Sequence, residues 1–203
     1  MAELQPGFGS GNVPEKEKIR VILLTDGDRV AGRAAQRVAK ELGLRCISAS
    51  VGNPTPRTGE ELVRLVRQVP YEPVLVMFDD RGNRGRGKGE KALECLARHP
   101  GIAVLGAVAV ASNTEGVGGV KPAYSVTRDG TLTGEAVDKF GKLSPGNGGV
   151  IRGDTVDILN RLDIPIIIGI GDLGKMDDAD QVERGAPITR KAIEAILAHS
   201  CRE

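Results

Sequence analysis

A chain of 203 residues with 40% hydrophobic content has room for one core of ordinary size, and this predicts a single domain. Lysine and arginine number 28 against 27 aspartate and glutamate, a balance that excludes a long-range field for nucleic acid or an anionic membrane. With no Trp, two Tyr and three Phe there are few platforms for stacking bases, and an aliphatic core suits a parallel sheet covered by helices.

Residues 1–18 carry Pro6, Gly7, Gly9, Gly11 and Pro14 ahead of a charged run, show no periodic apolar face, and read as a flexible tail. They also lack the basic and apolar regions of a signal peptide. Residues 19–203 are expected to form one α/β domain. A first strand at 19–25 leads to a helix at 29–42, where Val30, Ala34, Val38 and Leu42 recur on one face and Gly43 closes the end. A second strand at 44–48 runs into a loop at 50–59 that is rich in proline and glycine. A helix at 60–68 follows, stopped by Pro70.

The third strand is predicted at 73–78, followed by a glycine-rich turn and a helix that ends near Arg98; the fourth strand lies at 102–111. The rhythm then changes over an insert at 112–150. There Tyr124, the Asp129-Gly130 turn signal and Thr131-Leu132-Thr133 suggest a short antiparallel hairpin. Helical periodicity resumes at 154–162, a last strand is predicted at 164–170, and a closing helix at 188–199. The expected architecture is a three-layer, doubly wound, mostly parallel five-stranded sheet with a small β-hairpin insert. No apolar run approaches a membrane span, and three cysteines without C-x-x-C spacing (Cys46, Cys95, Cys201) suggest a reduced, intracellular chain.

Three apolar runs end in acids: Asp26 and Asp28 after the first strand, Asp79 and Asp80 after the third, and Asp172 after the last. Ligands of open α/β sheets sit at such strand ends, and carboxylates there suit a hard cation such as Mg²⁺ or Ca²⁺. The competing explanation is structural, because an acid after a strand is often the N-cap of the next helix. Both remain open at the level of sequence.

The turn after the third strand holds Gly82, Arg84, Gly85, Arg86, Gly87 and Lys88, and glycines between a strand and a helix let backbone N–H groups close around an anion. Its spelling nearly satisfies G-x-x-x-x-G-K-[ST]. Gly89 stands where the magnesium-ligating hydroxyl belongs, so a nucleotide-triphosphatase loop is disfavoured and a generic anion site or a solvated turn remains. His99 and His199 both fall in last helical turns, which argues against zinc and against Ser/His/Asp or Cys/His catalysis. The acidic stretch from Asp172 to Asp180 lacks the order of an EF-hand.

The blocks ILLTDGD at 22–28, RCISASVGNPT at 45–55, 73–80, 104–114 and IGIGDLGKM at 168–176 resemble the stage V sporulation protein AE family in its soluble form. The resemblance begins near residue 19 and leaves the tail outside. It implies membership of an operon of endospore-forming bacteria whose products move calcium dipicolinate into the developing spore and release it at germination. No catalytic residues come with it. The role implied is an accessory protein that works in the forespore cytoplasm through other proteins of the dipicolinate channel, with only peripheral contact to the spore inner membrane and no nucleic-acid partner. Binding of a divalent cation or of calcium dipicolinate at the acids is an added expectation. The alternative is a Mg²⁺-dependent, Toprim-like or phosphatase-like enzyme acting on phosphate bonds.

Overall fold

The computed structural model describes residues 17–82, 86–112, 116–153, 155–176 and 178–202. Nearly all of the predicted tail, together with Arg84 and Gly85 of the predicted anion turn, lies outside them. In chain order the elements are β1 (Ile19–Leu24), α1 (Arg29–Glu41), β2 (Arg45–Cys46), α2 (Gly59–Val66), β3 (Val74–Met77) and α3 (Lys88–Ala97). They continue with β4 (Ile102–Val110), β5 (Tyr124–Val126), β6 (Leu132–Thr133), β7 (Ile167–Ile170) and α4 (Pro187–Ser200).

The strands form one sheet in the order β2-β3-β1-β4-β7-β5-β6. The five strands expected from the sequence are present and parallel, but the sheet has seven. The hairpin at 124–133 is not a separate excrescence. β5 pairs parallel to β7, with Tyr124 opposite Ile168 and Val126 opposite Ile170, and β6 then pairs antiparallel to β5, which makes the sheet mixed. The physical reason is that β7 would otherwise be an edge with a row of unpaired backbone groups. Further bounds differ, and the second strand, expected at 44–48, covers only Arg45–Cys46 before a 3-10 turn at Ser48–Ser50. β7 starts at Ile167 rather than at 164 because Pro165 offers no N–H to a ladder, and the described residues of the helix expected at 154–162 form only a 3-10 turn, Asp157–Arg161. In that turn the adjacent residues Ile158 and Leu159 are both buried.

Alternation along the strands divides the core in two. Val21, Leu23, Val76 and Phe78 face α2 and α3, packing on Leu62, Val66, Leu93 and Leu96. Ile22, Leu24, Leu75 and Met77 face α1 and α4, packing on Ala34, Val38, Ile193 and Ile196. Each large aliphatic side chain so buried contributes about 1.5–3 kcal/mol. The chain therefore leaves β1 toward one face of the sheet and leaves the neighbouring β3 toward the other. A crevice opens beyond the carboxyl ends of such a pair.

Candidate functional site

The strand-end acids divide into two groups. At the ends of β1, β3 and β7 stand Asp26, Asp28, Asp79 and Asp172, close enough for the last three to act electrostatically on the first. The Asp26 carboxyl is held well above the usual carboxylate range by burial, then by the charge of Asp28, and further by Asp79 and Asp172; the Asp28 backbone N–H opposes the rise. That N–H donates to Asp26 Oδ1 at 3.1 Å.

The same residues also hold the backbone. Asp28 is the N-cap of α1, its Oδ1 accepting from the N–H of Val30 at 2.7 Å and of Ala31 at 2.8 Å. Asp79, 4% exposed, accepts from Gly27 N–H at 3.2 Å through one oxygen and from Arg81 N–H at 2.8 Å through the other. The latter bond supports Arg81 in a left-handed conformation, φ +58°. Asp172 accepts from Gly174 N–H at 2.9 Å and from the Lys175 ammonium. Its own N–H donates to the Lys139 carbonyl at 2.9 Å, so the insert lies against the end of β7.

Asp80 faces elsewhere. It is fully buried, and its two oxygens accept from Gly89 N–H at 2.6 Å and Glu90 N–H at 2.7 Å in the first turn of α3. The glycine-rich turn does bring a helix start to an anion, and that anion is the chain's own Asp80. A Cβ on Gly87 would overlap Asp80 Oδ1, and one on Gly89 would overlap the carbonyl oxygen of Asp79. A hydroxyl-bearing residue at 89 is therefore sterically excluded, which explains the departure from the triphosphatase spelling. Of the remaining predicted anion ligands, Gly82 is exposed with φ +68°, Arg86 pairs with Glu94, and the exposed Lys88 lines a groove shared with the start of α2. Among the described residues no three or more His, Cys, Asp or Glu side chains are arranged to hold a metal ion.

Four residues that matter here were not singled out in the sequence. Thr55 clamps the end of β3, accepting from Asp79 N–H at 2.8 Å through its hydroxyl and donating its own N–H to the Asp79 carbonyl at 2.9 Å. Asp180 caps α4, accepting from Ile188 N–H at 2.7 Å and Thr189 N–H at 3.1 Å. Asp157 accepts from the N–H groups of Gly118 and Gly119. Glu90 is the fourth. Only 7% exposed, its carboxyl is pushed up to about 7 by burial first, then by Asp80 and Asp157, with Arg161 and Arg86 opposing.

A raised folded value makes Glu90 a source of pH dependence. The unfolded carboxyl ionises near 4.5 and the folded one near 7, so its contribution to stability falls as pH climbs between those values. Glu90→Gln is expected to stabilise the chain by about 1–2 kcal/mol at alkaline pH and to lose that advantage toward pH 4.5. Thermal melts across that range check it. A difference independent of pH would show that Glu90 titrates normally.

No helix among the described residues is long and apolar enough to cross a membrane. Compared with known proteins, the chain finds no matching curated protein and no matching solved structure. It does match one protein family, described as stage V sporulation protein AE1, over residues 20–200, which takes in every strand and helix described above except the first residue of β1. The chain therefore belongs to the stage V sporulation protein AE1 family.

Proposed function

We infer from family membership that the chain has a role in sporulation. We propose that this role is that of an accessory protein of the spore calcium-dipicolinate system, acting in the forespore by association with other proteins of that system. The observation that carries the reading is the family match from residue 20 to residue 200. The use of the strand-end acids supports it: Asp28 spends one oxygen and Asp80 both on helix starts, and Asp172 spends its two on a loop and a lysine, as in a rigid scaffold.

The test is capture from sporulating cells with the tagged chain, set beside an unrelated tagged α/β protein. Enrichment of components of the dipicolinate channel over the control is expected. Recovery of the same bulk proteins by both baits overturns the reading.

One observation favours the enzymatic alternative. Asp28, Asp79 and Asp172 each raise the Asp26 carboxyl electrostatically at the carboxyl edge of the sheet, where a divalent cation such as Mg²⁺ or Ca²⁺ would relieve the repulsion on Asp26, although no three of the described acids are placed to hold one between them. That reading requires a Mg²⁺-dependent turnover of phosphate esters that Asp79→Asn abolishes. An unchanged rate in the variant removes it.

A further inference from the structure

α2 and α3 lie side by side on one face of the sheet, and between the start of α2, with the loop that precedes it, and the length of α3 from Lys88 to Cys95 there is a groove of about 330 Å³. This falls at the lower end of the range for small-molecule sites, about 300–1,000 Å³. Pro56, Ala92 and Cys95 form apolar walls, and the cations Arg57, Lys88 and Lys91 stand around them.

The charges are unevenly compensated. Arg57 has Glu61 at 3.6 Å. Lys88 and Lys91 lie three residues apart on α3 and are both exposed, and their ammonium groups have no hydrogen-bond or ion-pair partner among the described residues. Glu60 is the one carboxylate in the lining, and its Oε1 accepts from the Cys95 thiol at 3.6 Å. The first amide groups of α3 are already taken by Asp80, so the attraction for an anion comes from the lysines and not from the helix start.

We infer that this groove binds a small organic anion with an apolar body, a carboxylate or a phosphate monoester whose charge lies between Lys88 and Lys91 and whose hydrocarbon part covers Cys95. A bare inorganic anion would leave the apolar walls wet, and a neutral ligand would leave the two ammonium groups undirected. The inference is independent of the dipicolinate reading, and its failure leaves the capture experiment untouched.

Cys95 reports on occupancy because it lines the groove, while the exposed Cys201 serves as an internal reference. The full chain is alkylated with iodoacetamide in the presence of benzoate, phenyl phosphate or inorganic phosphate, and each thiol is followed by peptide mass. At about ten times its dissociation constant a bound probe slows Cys95 about tenfold relative to Cys201. The more protective of benzoate and phenyl phosphate identifies the headgroup. A Lys88→Ala, Lys91→Ala double variant is expected to melt as the parent does and to lose the protection. Equal Cys95 rates with and without the organic probes, protection by inorganic phosphate alone, or protection that survives in the double variant each overturns the inference. Calorimetry with the same probes gives a reading that does not depend on the thiol: heat in the parent and none in the variant is expected, and no heat in either overturns it.

Discussion

Replacing Asp80 with alanine is expected to lower the stability of the fold by about 3 kcal/mol, because two buried N–H groups then lose a charged acceptor. The carboxylate is fully buried, and its bonds to Gly89 and Glu90 at 2.6 and 2.7 Å tie the end of β3 to the start of α3. Asp80→Asn should fall between the two, since an amide keeps one acceptor oxygen and turns an NH₂ group toward the other donor. Urea denaturation measures both, with the slope expected to stay constant while the midpoint moves. If Asp80 served chiefly as a ligand for an external cation, alanine would leave the metal-free chain within about 0.5 kcal/mol of the parent.

Gly89→Ala is expected to cost about 2–3 kcal/mol, although alanine is the better helix former by about 1 kcal/mol. A Cβ at this position overlaps the Asp79 carbonyl oxygen and lies 2.8 Å from Asp79 C and 2.9 Å from Asp79 N. Those are backbone atoms held by Thr55, and no rotamer change can move them aside. α3 must back away, which also lengthens both bonds to Asp80. Gly134→Ala, where nothing lies within 4 Å of the added atom, is the matched control and should melt as the parent does. A Gly89→Ala variant as stable as that control would mean that the joint between β3 and α3 is far more pliant than close packing allows.

Much of this was legible beforehand because it is local. Short aliphatic runs closed by acids marked β1, β3 and β7, and the four-residue recurrence of Val30, Ala34 and Val38 marked the buried face of α1. The N-cap at Asp28 follows from its place just ahead of that face. β5 and β6 were not legible as part of the main sheet. β5 pairs with a strand some forty residues further along, and no spacing between two such short segments announces it.

The acids show the division most plainly. That Asp26, Asp79 and Asp172 share the carboxyl end of one sheet was readable from the runs that precede them. What each oxygen meets was not. Asp79 and Asp80 are adjacent in the chain, yet consecutive residues of an extended segment point to opposite sides, so one braces the turn after β1 and the other caps α3. Asp180 caps a helix that starts seven residues later, a distance outside any capping rule. Sequence periodicity encodes which residues are apolar and how often they recur, and hence the strands and helices. The partners of a buried carboxylate depend on which distant backbone N–H groups packing leaves without an acceptor, and only the assembled tertiary structure decides that.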